Sequence, residues 1–92
     1  MSDVQVTPLE EDAYGVEVVE GNTRTSHRVT IPQTYVDGLG LGDADPGALI
    51  RASFAFLLER EPPSAILREF SLEDIERYFP EYREELPTRL GR

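Results

Sequence analysis

The sequence predicts a small α+β protein: an N-terminal three-stranded antiparallel sheet followed by a short helix, a long buried helix and a C-terminal helical cap. Three observations lead there. Apolar and polar residues alternate with period two before Pro32, an apolar run over residues 46–61 is bounded by prolines, and the tail beyond Pro63 holds too many Ile, Leu, Phe and Tyr residues to stay solvated. At 92 residues the chain is one domain, divided into a β meander (1–31), a helix-turn-helix (32–61) and a helical cap with a loose end (62–92).

Residues 4–9 read Val-Gln-Val-Thr-Pro-Leu, an alternation that Pro8 ends as an edge strand tolerates. Residues 14–20 are β-branched and half-alternating, and Gly21-Asn22-Thr23 signals a turn. Residues 26–31 put His27, Val29 and Ile31 on one face and Ser26, Arg28 and Thr30 on the other. Pro32 opens a short helix over residues 33–41, weakened by Gly38, Gly40 and Gly42. Asp45 as N-cap and Pro46 at the first helical position start a much stronger helix, which runs to Pro62-Pro63. Ser71 with Asp74 has the form of a capping box for a helix ending before Pro80, and Pro80 kinks or restarts the last helix, with residues 87–92 loose.

The helix after Asp45 carries the main inference. At 100° per residue, Leu49, Ile50, Phe54, Phe56, Leu57 and Leu58 span about 200°, twice the ~100° stripe of a helix that covers a core on one side. Two apolar neighbours are required. The chain's own sheet and C-terminal helix supply one, and the same helix of a second copy is the simplest other, which makes these six residues a homodimer interface. The competing arrangement is a sandwich closed within one chain, with the tail covering the second side.

Composition narrows the function. There is no Lys, and nine Arg against eighteen acids give a net charge of −9. Asp3, Glu10, Glu11, Asp12, Glu17 and Glu20 put the excess in residues 1–23, which hold no base. Such a chain does not coat nucleic acid or an acidic membrane over its whole surface. Without Cys and with one His, it has no disulfide framework, thiolate nucleophile or multi-His metal site. No stretch approaches ~18 apolar residues, so a cytoplasmic protein without a membrane role is expected.

No catalytic, metal or cofactor site is expected either. Ser26 and His27 point to opposite strand faces, which disfavours a local nucleophile pair. His27 reads as a hydrogen-bonded core or interface residue. Gly38-Leu-Gly-Leu-Gly42 follows a helix and lacks a Walker lysine, and a calcium loop opening at Asp43 would need its bidentate acid where Phe54 stands. Tyr78, Phe79 and Tyr82 form an aromatic group suited to core packing or to a partner surface.

The order strand, Pro, short helix, turn and capped helix over residues 26–61 resembles the ribbon-helix-helix family of dimeric DNA-binding regulators and antitoxins. The likeness rests on His27-Arg28-Val29-Thr30-Ile31-Pro32, on residues 35–41 and on Asp45-Pro46-Gly47-Ala48-Leu49-Ile50-Arg51-Ala52. Residues 53–62, with Ile66-Leu67 and Tyr78-Phe79-Pro80-Glu81-Tyr82, also resemble a group of small prokaryotic proteins, a likeness that implies no activity. The first resemblance implies a dimer whose outward strand residues, here Arg24, Ser26, Arg28 and Thr30, enter the major groove while the second helix meets phosphate. Asp43 and Asp45 would place negative charge beside that phosphate. The alternative for Arg24 and Arg28 is pairing with Glu17 and Glu20 across the hairpin. Two functions follow: a non-enzymatic regulator of ribbon-helix-helix type, or an acidic adaptor that binds another protein through its sheet and aromatic tail without a nucleic-acid role.

Overall fold

The computed structural model describes residues 2–91 and is α+β. Strands β1 (Ser2–Glu10), β2 (Ala13–Glu20) and β3 (Thr23–Thr30) form the expected antiparallel meander. The β2–β3 hairpin turns on Gly21 at φ 61°, the left-handed conformation that a two-residue turn with glycine first requires. At the other hairpin the register shifts between Pro8 and Glu10, leaving Leu9 as an extra residue in β1. Leu9 lies over Gly15, where even a Cβ would sit at ordinary contact distance, 3.5 Å.

The three-stranded antiparallel sheet is corrected to four strands in the order β1-β2-β3-β4. β4 (Glu69–Ser71) runs parallel to β3, with Val29 opposite Phe70, and the Arg28 N–H adds a bond to the Arg68 carbonyl at 2.7 Å. Three residues are too few to display a period, so the strand left no mark in the hydropathy pattern. Over Arg28, Val29 and Thr30, β3 is therefore paired on both edges. The intermolecular ribbon implied by the family resemblance would need one of those edges.

Helix α1 (Gln33–Gly38) ends three residues earlier than expected, and Gly40 at φ 76° turns the chain away. Helix α2 (Pro46–Leu58) has the predicted cap: Asp45 Oδ2 accepts from the Ala48 N–H at 3.0 Å. Its regular part ends at Leu58, although the Arg60 and Glu61 N–H groups still bond the Leu57 carbonyl at 2.9 Å, and Pro62 bars any further extension. Helix α3 (Leu72–Tyr78) starts where Asp74 accepts from the Ser71 N–H at 3.0 Å. Helix α4 (Tyr82–Arg89) runs through Pro87, so of the loose end expected over residues 87–92 the first three residues are corrected to helix, 90–91 are a turn, and Arg92 lies outside the described residues. Leu86 is fully buried, and Arg89 reaches Glu59 at 2.6 Å and Glu85 at 3.3 Å, which together hold that last turn.

The homodimer interface assigned to Leu49, Ile50, Phe54, Phe56, Leu57 and Leu58 is also corrected. The first five are at most 4% exposed within one chain, and Leu58 packs against the same core. The sheet covers one side of α2. The second neighbour is the chain's own C-terminal segment: Phe56 meets the Tyr82 ring edge-on at 5.2 Å and Phe79 at 5.9 Å. Ser53 donates to the Leu49 carbonyl at 2.7 Å, so its oxygen is left to accept from the Tyr82 hydroxyl, also at 2.7 Å. Arg60 closes the end, its guanidinium 3.6 Å above the Phe56 ring and bonded to Glu85 at 2.9 Å.

Truncating Phe56 to Ala should cost about 3–5 kcal/mol by urea denaturation, with a midpoint independent of protein concentration because the contact is intrachain. Burial holds the Tyr82 hydroxyl neutral, far above the usual tyrosine range, with the Ser53 hydrogen bond opposing this in lesser part. The folded state thus keeps a proton that the unfolded chain releases above about pH 10. Stability from this group is complete below that pH and falls by up to about 1.4 kcal/mol per pH unit above it. Tyr82→Phe should lose about 1 kcal/mol near neutrality, when the buried Ser53 oxygen loses its donor, and should flatten the alkaline slope.

Candidate functional site

Two surfaces bear residues singled out in the sequence. The outer face of the sheet carries Arg24, Ser26, Arg28 and Thr30 in the expected alternation, opposite Val19, Glu17, Gly15 and Ala13 of β2. Arg24 lies 3.4 Å from Glu17, as the hairpin alternative anticipated, whereas Arg28 pairs with Glu10 at 2.9 Å and Glu69 at 3.6 Å instead of with Glu20. The hydrogen bond that Arg28 donates to Glu10 holds the guanidinium further in its charged form. Each strand arginine thus has a carboxylate partner on the same face.

The second surface is an apolar groove where the C-terminal end of α2, the loop before β4 and α3 converge. Leu57, Ile66, Phe70, Ile75 and Phe79 form its floor and walls, and its volume is about 200 Å³. Three large hydrophobic side chains are exposed among the described residues, Leu9, Leu67 and Tyr78, and two of them stand on this groove, at 53% and 68% exposure. Both titratable acids in the lining, Glu61 and Asp74, sit among these apolar groups, and no base lines it. Asp74 is already engaged by the Ser71 N–H and by Arg77 at 3.7 Å. Glu61 has no ion-pair partner among the described residues.

The groove's shape follows from local sequence. Pro62 and Pro63 end α2 and start a single 3₁₀ turn over Pro63–Ala65, which carries the chain off the helix axis. His27 then fixes the returning loop. Its ring is 5% exposed, tilted against Phe54 at 5.4 Å, with Nδ1 2.8 Å from the Leu67 carbonyl and Nε2 2.9 Å from Thr25 Oγ1. A carbonyl only accepts, so Nδ1 is the donor to Leu67, and the Thr25 hydroxyl holds the other nitrogen.

The aromatic trio does not act as one group. Tyr82 is fully buried, Phe79 is half-buried in the groove wall, and Tyr78 is exposed at the rim. Of the groove residues, the sequence points to Tyr78 and Phe79 as a possible partner surface and to Leu57 as part of a homodimer interface. It counts Ile66, Leu67 and Phe70 as covered apolar tail and gives Glu61 no role.

No family model, curated protein or solved structure matches the chain. Among the described residues no helix is long and apolar enough to cross a membrane.

Leu67→Ser and Tyr78→Ser should each leave stability within about 0.5 kcal/mol, as substitutions of exposed side chains do. The double variant should markedly reduce the fluorescence enhancement of an apolar dye such as anilinonaphthalene sulfonate. Unchanged dye binding would place the accessible apolar surface elsewhere.

Proposed function

We propose that the protein is a non-enzymatic adaptor that binds a segment of another protein in the groove between α2 and α3. The observation that carries this reading is the convergence of two of the three exposed large hydrophobics on one apolar depression. Isolated apolar residues on a surface mean little, but a contiguous patch with a polar rim marks an interaction site. At about 200 Å³ the cavity is smaller than the ~300–1,000 Å³ typical of small-molecule sites, and it suits one or two anchoring side chains.

Charge selects the partner. Glu61 and Asp74 in the lining and the net charge of −9 favour a segment in which Leu or Phe anchors are flanked by Arg or Lys. The pairing of Arg24 and Arg28 with Glu17, Glu10 and Glu69 supports this reading over nucleic-acid binding, because phosphate would have to displace carboxylates already in place.

A helical peptide with Leu and Phe on one face and Arg on the other tests the assignment by fluorescence anisotropy. It should bind the unmodified protein, weaken by at least about tenfold with Tyr78→Ser, the loss expected when an aromatic contact that a bound segment would cover is truncated, and weaken again as salt rises. Equal binding to the variant, or to a peptide with Glu in place of Arg, would overturn it.

A further inference from the structure

A different surface, at the opposite end of the sheet from the groove, has the features of a strand-docking site. The two edges are unequal. β4 is three residues long and runs straight into α3, so little of its backbone can be paired from outside. β1 is nine residues long and, among the described residues, has no strand beyond it. Proteins guard such edges with brevity, inward-pointing charge, proline or a bulge. On β1 the proline and the bulge both lie at the C-terminal end, at Pro8 and Leu9. Residues 3–7 carry none of these guards: Val4 and Val6 face the core, Gln5 and Thr7 face out, and the one charge, Asp3, also faces out.

The core beneath this stretch is incomplete. Val16 and Val18, paired with Val6 and Val4, are 2% and 0% exposed, whereas Val4 and Val6 are only half-buried. A further strand would lay its own inward side chains beside the two valines and bury them. The backbone N–H and C=O groups along that edge would gain partners at the same time.

Charge decides what that strand is. Asp3 and Glu17 stand on the outer face, Glu17 shared with Arg24, and the described part of the first 23 residues has acids and no base. A second copy of β1 would bring the same acids to the seam. We propose that residues 3–7 of β1 accept an extended segment of a partner protein as a fifth strand, with small apolar side chains directed inward and basic ones directed outward. This goes beyond the groove reading and stands on a separate surface.

The test uses the isotopically labelled full chain and a peptide of alternating Lys and Val. Binding should slow amide exchange along β1. Methylating alternate backbone nitrogens of the peptide should weaken it by at least about tenfold, the scale of losing two or three backbone hydrogen bonds. Affinity should fall as salt is raised, and the Tyr78→Ser variant should bind as well as the unmodified protein, which separates this site from the groove. Four results would each overturn the proposal: shifts at Leu67 and Tyr78 with β1 unchanged, full binding of the methylated peptide, equal binding of a Glu-Val peptide, or self-association that protects β1 without any peptide.

Discussion

The structure depends on enclosing one helix. α2 is apolar around more than half of its circumference, and a 92-residue chain has few elements with which to cover it. The sheet takes one side. Phe79, Tyr82 and Leu86 take the other, and full burial of each such side chain contributes on the order of 1.5–3 kcal/mol. The C-terminal helices are therefore part of the core. That is also why α4 tolerates Pro87: the helix gives up one backbone bond, and the burial of Leu86 and the grip of Arg89 on Glu59 and Glu85 outweigh it.

How far these features could be read beforehand differs by element. The meander was legible because alternating side chains fix which residues face inward, and His27, Val29 and Ile31 lie where period two puts them. The start of α2 was legible because Asp45 and Pro46 satisfy distinct chemical needs of a helix terminus. The width of its apolar arc gave the amount of cover required and not its source, which is why six core residues read as a subunit interface. β4 was too short to show a period. The groove was obscured because Tyr78, Phe79 and Tyr82 read as one aromatic group: across Pro80 they no longer share a face, and their exposures run from 68% to none.

Arginine plays several parts here. At the end of α2 the Arg60 guanidinium lies on Phe56 and meets Glu85, with Glu81 at 3.5 Å, while Arg89 holds the Glu59 carboxyl below the usual carboxylate range through its hydrogen bond. Planar guanidinium suits this use, since it can stack on a ring and bond in its own plane at once. On the outer sheet face Arg24 and Arg28 instead cross-link strands through exposed pairs, which salt screens readily. The acidic excess thus leaves the apolar core untouched and sets the character of the surface.

The bond from His27 to the Leu67 carbonyl has a consequence for recognition. It fastens the lip of the cleft to the most regular part of the molecule, so the loop that presents Leu67 does not have to be immobilised when something settles there. A newcomer finds a mould already cast, and the entropy that a floppy lip would forfeit on contact has been surrendered during folding.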